Sequence, residues 1–318
     1  MPAPARSAAI LPEASRSALH AALAQVNALV LGKPREIELA FACLLAGGHL
    51  LIEDLPGLGK TTLARALAAS VGLDFQRLQF TADLLPSDIL GVSVYEADQH
   101  SFRFHPGPVF TQLLLADEIN RAPPRTQSAL LEAMAEQQVT IDGVCHGLPH
   151  PFFVIATQNP VDLTGTFPLP DSQLDRFLLR LSMGYPEAEF ERAMLAGADR
   201  RELIQRSLPQ LSAEDVLALR DAANGVHASD ALVDYVQRLL AASRDFAGIR
   251  VGLSPRAGLA LLRVGRAQAL LAGRAHVLPD DIQALFVEVT AHRLVPDSDR
   301  GSREALSRTL LASVAVEA

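Results

Sequence analysis

LLIEDLPGLGKTTLA (residues 50–64) runs from an apolar segment, Leu50 to Ile52, through a turn rich in small residues into a helix-compatible segment opened by Lys60, Thr61 and Thr62. This reads as strand, phosphate loop and helix. Small residues such as Gly57 and Gly59 let backbone N–H groups approach a chain of phosphates at the positive end of a helix. In the GxxxxGK[ST] pattern the lysine reaches the β- and γ-phosphates and the hydroxyl that follows it holds Mg²⁺. Those roles fall to Lys60 and Thr61, and the nucleotide-binding loop spans Leu55, Pro56, Gly57, Leu58, Gly59, Lys60, Thr61 and Thr62. One position departs from the pattern: Asp54 stands where the first glycine is expected. The residues nearest the phosphates, Gly57 to Thr61, are intact.

The whole chain sets wider bounds. With 318 residues it can bury a full core and divide into two domains. A formal net charge of −8 opposes general nucleic-acid binding, and the absence of Trp with only 3 Tyr leaves few stacking platforms for bases. Cys43 and Cys145 form no CxxC pair, so neither a disulfide framework nor a zinc site is indicated, and Cys145 with His146 and His150 reads as hairpin surface. The first thirty residues read as a short disordered lead and an amphipathic helix rather than a signal sequence. The apolar run from Ala40 to Ile52 is interrupted and too short for a bilayer. A cytoplasmic protein without membrane insertion is the expectation.

Along the chain, helices are expected over 15–31 and from Pro34 to the Gly47-Gly48 pair, then a second strand over 74–80. Val92 and Val94 against Phe102 and Phe104 flank a polar tip from Glu96 to Ser101, which is a hairpin pattern, and the Asp-Gly pair in VTIDGV (139–144) signals another. Gln112 to Ala116 and Phe152 to Ala156 read as buried parallel strands, with a helix opened by Pro123-Pro124 between them. From about Pro186 onward only helical windows follow, near 187–205, 212–224, 229–244, 255–273, 279–293 and 302–316. This predicts an α/β nucleotide-binding domain over 1–185 with two inserted hairpins, and a smaller all-α lid domain over 186–318.

Further candidate residues lie at strand ends. Asp117 and Glu118 close an apolar strand where the ligand crevice of an open α/β sheet lies; an aspartate there completes Mg²⁺ coordination and an adjacent glutamate can take a proton from water. Asn159 ends the next buried strand and could orient that water or contact the γ-phosphate. Arg176 follows Asp175 in a helix-like segment; it could support a neighbouring subunit's nucleotide, but on its own it reads first as a solvated or salt-bridged surface arginine. Arg256 carries more information, because Ser254 fits an N-cap and Pro255 the first helical position, placing a cation at the positive end of a helix. Something else must hold it there, and the helix's apolar face would anchor it on a lid above the nucleotide.

Taken together, DLPGLGKTTLARALA (54–68), QFTADLLPSDILG (79–91), GPVFTQLLLADEINRAPPRTQSALLEAMAEQQVTIDG (107–143), FFVIATQNP (152–160), LPDSQLDRFLLR (169–180) and LSPRAGLALLR (253–263) resemble the AAA+ ATPases, and within them the MoxR family. The resemblance implies an AAA+ P-loop domain with a parallel sheet flanked by helices, followed by the lid. It makes Lys60 and Thr61 the Walker A residues, Asp117 and Glu118 the Walker B pair with Thr61 and Asp117 on Mg²⁺, Asn159 sensor 1, Arg256 sensor 2, and Arg176 the arginine finger, with Arg121, Arg125 and Arg180 as alternatives. It implies ATP and Mg²⁺ as ligands and a homohexameric ring with both hairpins facing its pore. It also implies a von Willebrand A-domain partner and a client protein complex that is matured, activated or supplied with metal. The chain ends soon after His292-Arg293-Leu294, which leaves recruitment to the ring surface or a separate protein. A DNA-associated motor and an ATP-dependent scaffold that does not hydrolyse are the rival readings. A GTPase lacks its guanine-reading NKxD, and a small-molecule kinase leaves Glu118, Asn159 and the hairpins without a task.

Overall fold

In a computed structural model of the chain, residues 11–161, 164–197, 199–297 and 302–316 are described below. The expected lead before residue 11 lies outside them. Two helices come first, α1 (Glu13–Leu29) and α2 (Pro34–Leu45), with Pro34 in the first turn of α2 as its fixed φ favours. Then follow β1 (Leu50–Glu53), α3 (Lys60–Ser70), β2 (Phe75–Gln79) and the short α4 (Pro86–Leu90). The hairpin β3 (Gly91–Glu96) with β4 (Ser101–Pro106) precedes β5 (Leu113–Asp117) and α5 (Pro124–Glu136). A second hairpin, β6 (Gln138–Ile141) with β7 (Val144–Gly147), leads into β8 (Phe153–Gln158), α6 (Asp171–Leu174) and β9 (Leu179–Leu181). Asp142 and Gly143 both take positive φ at the second hairpin tip, as the Asp-Gly pair predicts.

Five strands form one parallel sheet in the order β2-β5-β8-β1-β9. Alternation along β1 distributes its side chains between two cores. Leu50 and Ile52 pack with Leu113, Leu115, Phe153 and Ile155 on one face, against the helices at the start and end of the chain. Leu51 joins Leu114, Ala116, Val154, Ala156 and Phe177 on the other, against α5. Each of these β1 side chains is fully buried, worth roughly 1.5–3 kcal/mol of transfer free energy apiece. Because the strands are parallel and in register, the residues following β1, β5 and β8 emerge side by side along one edge of the sheet.

The remainder is helical: α7 (Ala188–Ala196), α8 (Arg200–Gln205), α9 (Ala213–Gly225) and α10 (Asp230–Arg244), then α11 (Pro255–Leu271), α12 (Pro279–Thr290) and α13 (Arg303–Ala312). A small ribbon, β10 (Ile249–Val251) with β11 (Val295–Pro296), accompanies them; three residues against two are too few to show alternation in sequence. Helix α11 lies against α2, α9 and α12. Ser254 precedes it without a side-chain cap; its backbone carbonyl accepts from Ala257 N at 3.0 Å instead.

The two hairpins meet through a stacked pair, Phe104 on His146 with ring centroids 4.0 Å apart. Phe102, Tyr95 and Val144 remain exposed beside that contact. Among the described residues no helix is long and apolar enough to cross a membrane.

Candidate active site

A cleft of about 320 Å³ opens at the carboxyl edge of the sheet, lined by Pro56, Gly57, Gly59, Lys60, Thr61, Thr62, Asp117, Glu118 and Asn159 together with Arg77 and Gln79. Sheet order explains the convergence. The loop after β1, the acidic pair closing β5 and Asn159 after β8 belong to three adjacent strands. Leu55 and Leu58 belong to the loop without lining the cleft, and Leu55 N donates to Asp54 Oδ1 at 2.8 Å.

The loop has the form of an anion cradle. Gly57 and Gly59 have φ of +84° and +89°, a region costly for residues with a Cβ. A Cβ on Gly57 would meet nothing within 4 Å, so the space above the loop is open. Lys60 begins α3, its Nζ donating to the Asp54 carbonyl at 2.6 Å. Burial pushes the lysine's pKa down, with Asp54, Asp117 and Glu118 pulling the other way. An ammonium with three N–H donors keeps two to offer an anion when one is held by that carbonyl. The residues therefore fit a polyphosphate with a divalent cation: amides at a helix start, one lysine, the Thr61 hydroxyl and the Asp117 carboxylate.

The acidic pair is held by Thr157, Arg77 and Gln79, which sequence reading does not single out, and by Arg121, which it names only as an alternative finger. Asp117 Oδ1 accepts the Thr157 hydroxyl at 2.6 Å, and Oδ2 accepts Arg77 Nη2 at 2.7 Å and Nε at 3.1 Å. Thr157 Oγ1 in turn accepts Glu118 N at 2.8 Å. Glu118 has φ +56°, an uncommon value for a residue with a side chain, and its Oε2 accepts Gln79 Nε2 at 3.0 Å and lies 2.6 Å from Arg121 Nε. Arg77 and Gln79 alternate onto one face of β2, and only the pairing of β2 with β5 shows that this face meets the acidic pair. Asn159 Oδ1 accepts Val161 N at 3.1 Å.

Arg176 and Arg256 lie elsewhere. They line a separate cavity of about 570 Å³ with Gly47, Gly48, Asp175, Arg263 and Arg293. Gly47 and Gly48 precede β1, so this cavity sits at the amino end of the strand whose carboxyl end carries the phosphate loop. Arg256 thus does not sit above the chain's own nucleotide loop, because α11 docks along α2 rather than over the cleft. Its Nη1 is 3.3 Å from Asp175 Oδ2, and Arg176 Nη1 donates to the Leu131 carbonyl at 2.7 Å. Of the alternative arginines, Arg180 pairs with Glu53 at 2.8 Å and with Glu304, Arg121 with Glu118, and Arg125 is exposed at the start of α5.

A parallel sheet with a phosphate loop after one strand, an acidic pair two strands away and a helical segment behind is the architecture of an AAA+ ATPase. The model of the "ATPase family associated with various cellular activities (AAA)" matches residues 49–179, and that of the "AAA lid domain" matches 241–310. Relatives extend along nearly the whole chain. YeaC of Bacillus subtilis is 44% identical, covering 93% of both chains, and Chaperone MoxR1 of Mycobacterium tuberculosis is 39% identical, covering 94% of this chain and 82% of its own. Protein MoxR of Paracoccus denitrificans is 36% identical over 91% of this chain and 92% of its own. A crystal structure of a protein from Cytophaga hutchinsonii superposes with a TM-score of 0.87 at 36% identity, covering 96% of both chains. The chain belongs to the MoxR family of AAA+ ATPases.

Proposed function

We propose that this chain hydrolyses ATP in a homohexameric ring and uses the turnover to remodel a client protein complex, with a von Willebrand A-domain protein as partner. The observation carrying the reading is the cleft in which Lys60, Thr61, Asp117, Glu118 and Asn159 meet at one sheet edge. In this reading Lys60 holds the β- and γ-phosphates. Thr61 and Asp117 hold Mg²⁺, which supplies charge neutralisation at the phosphates when bound. Glu118 takes the proton of a water whose oxygen bonds to the γ-phosphorus as the β–γ bridging bond breaks, and Asn159 orients that water. Glu118 can act only after its carboxylate is released from Gln79 and Arg121.

Arg176 and Arg256 share one cavity distant from Lys60, which supports their acting on the nucleotide of a neighbouring chain. The division at 185/186, the pore-facing hairpins and a cytoplasmic site of action belong to the same proposal. Metal insertion is one form the remodelling would take. A client is the natural meaning of exposed Phe102, Tyr95 and Val144 at the hairpins.

Phosphate release tests the chemistry. Lys60→Ala removes the charge-assisted phosphate contact and should weaken ATP binding, whereas Glu118→Gln should bind ATP and lose turnover. A Glu118→Gln protein that turns over at the wild-type rate would sink the assignment of the base. The engagement of Glu118 by two donors favours a second reading, an ATP-binding scaffold; wild-type protein that binds ATP and releases no phosphate, alone or with client, would establish it.

A further inference from the structure

Asp54 occupies the position where the phosphate-loop pattern has its first glycine, and the structure gives that departure a purpose. Its carboxylate is buried and takes four donors: Oδ1 accepts Leu55 N at 2.8 Å, while Oδ2 accepts Met183 N at 2.6 Å, Gly184 N at 2.7 Å and Ser182 Oγ at 3.0 Å. Glycine could hold none of these. Its backbone is engaged as fully: Asp54 N donates to Gln158 O at 3.1 Å at the end of β8, and Asp54 O accepts Lys60 Nζ at 2.6 Å.

Residues 182–185 open the connection from β9 to α7 (182–187), the passage from the sheet to the helical part of the chain, and Gly184 turns there with φ +61°. The other side of this connection is held by Lys33, whose Nζ donates to the carbonyls of Met183 and Tyr185. Met183 also lies beside the loop, since a Cβ on Gly59 would be 3.8 Å from its Cε. One residue therefore touches the phosphate-binding lysine with its carbonyl and the interdomain connection with its side chain. Its carboxylate and both backbone groups are all held by these hydrogen bonds, so a shift of Lys60 toward a phosphate, which pulls on the Asp54 carbonyl, is transmitted through a pinned residue to Met183 and Gly184.

We propose that Asp54 is a positioning residue that couples the phosphate loop to the 182–185 connection, so that nucleotide in the cleft and the placement of the helical lid change together. The coupling rests on the nucleotide-binding reading above. It acts through Lys60 and the lid, without contact between the Asp54 carboxylate and the reacting atoms.

The test is hydrogen exchange on the full chain, with and without Mg·ADP, resolved for peptides covering 54–62 and 182–187. In the wild type, nucleotide should slow exchange in both segments. Asp54→Ala keeps the carbonyl that holds Lys60, so the loop should still gain protection; the Met183 and Gly184 amides should exchange about tenfold faster or more and no longer respond to nucleotide, as expected for loss of bonds to a charged acceptor. In ATP hydrolysis the same variant should lose kcat while KM changes little, and Asp54→Asn, which keeps one oxygen, should recover part of both signals. Ser182→Ala removes a single donor and should weaken the nucleotide response at 182–187 in the same direction, which decides the matter if Asp54→Ala does not fold. A wild type whose loop responds to Mg·ADP while 182–187 does not would overturn the coupling and leave nucleotide binding standing. A response at 182–187 undiminished in Asp54→Ala would overturn it equally. A wild type in which neither segment responds and Mg·ADP does not bind would overturn the functional reading and the coupling with it.

Discussion

Arg293 Nε lies 2.7 Å from Asp175 Oδ1, joining the turn after α12 of the helical lid to the segment that carries Arg176. The guanidinium is almost wholly buried and also donates to the carbonyls of Phe177, at 2.8 Å, and Leu178, at 3.2 Å. Asp175 Oδ2 meanwhile faces Arg256. Asp175 is the one carboxylate paired with Arg293 among the described residues, and a buried cation that loses such a partner is left uncompensated, a change that typically costs about 3–5 kcal/mol. Asp175→Ala should therefore lower the stability of the chain by roughly that amount in chemical denaturation. Arg256→Ala, which removes the exposed partner of the same carboxylate, should cost under about 1 kcal/mol. Equal losses from the two substitutions would contradict the unequal burial on which the argument depends.

Thr157 holds the acidic pair from beneath, donating to Asp117 and accepting from the Glu118 amide. Valine keeps the shape and removes both bonds. Residues that orient a metal-binding carboxylate commonly contribute about 10–100-fold to metal affinity or activity. Thr157→Val should thus fold, bind nucleotide without Mg²⁺ as the wild type does, and need about tenfold more Mg²⁺ for half-maximal turnover. An unchanged Mg²⁺ requirement would show that Asp117 is set by its strand and Arg77 alone.

Two buried histidines give the fold a pH dependence separate from catalysis. His49 accepts Val154 N at 3.0 Å on Nδ1 and meets the Met134 carbonyl at 3.2 Å on Nε2, and burial pushes its pKa down to about 4. His292 meets the Phe177 carbonyl at 3.0 Å, and burial, followed by the neighbouring Arg293, holds its pKa well below the usual value. The unfolded chain binds protons on both rings as pH falls through the ordinary histidine value of 6.5, while the folded chain does not. Stability is therefore full above that value and is lost between it and about 4 for His49, the value to which its pKa is pushed. The slope should approach roughly 1 kcal/mol per pH unit for each ring. Denaturation curves at pH 7, 6 and 5 would show it, and His49→Gln, which retains a donor and an acceptor, should flatten the dependence.

How much of this was legible beforehand depends on whether a residue acts through its neighbours in sequence or in space. Lys60, Asp117, Glu118 and Asn159 were readable because each follows an apolar run recognisable as a buried strand, and such strand ends share one edge of a parallel sheet. Arg77 and Gln79 were not: their meaning comes from β2 lying beside β5, and alternation shows a face without showing what it faces. Asp54 looked like a flaw in a pattern because its partners, Ser182 to Gly184, are far along the chain. Arg256 reads from sequence as held by something outside its helix, but a helical pattern does not say along which neighbour a helix docks, and α11 follows α2 away from the cleft.

That displacement of Arg256 sharpens the last prediction, which concerns where the site is completed. Within one chain the cleft holds Lys60, Asp117 and Glu118, and the arginines that meet those carboxylates, Arg77 in the cleft lining and Arg121 paired with Glu118, are engaged with them. Arg176 and Arg256 instead face a common cavity on which Arg263 and Arg293 also border, a concentration of positive charge with Asp175 and Glu136 as its acidic members. A neighbour's triphosphate, presented to that face in a ring, would supply the anion it lacks. An arginine finger supplies about 10³ to 10⁵ in rate, far beyond anything a surface ion pair does through stability. Arg176→Ala and Arg256→Ala should accordingly fold, bind ATP as the wild type does and hydrolyse it poorly, with the greater loss in Arg176→Ala. Turnover per chain should rise with protein concentration as rings form. Mixing Arg176→Ala with Lys60→Ala should restore part of the activity, because some interfaces then combine an intact Lys60 from one chain with an intact Arg176 from the next. The same mixture made with Arg256→Ala separates the two placements of that residue: recovery follows if it serves its neighbour. If mixed rings assemble and the Arg256→Ala mixture stays inactive while the Arg176→Ala mixture recovers, Arg256 serves its own chain through a lid movement. If neither mixture recovers, the shared site is wrong.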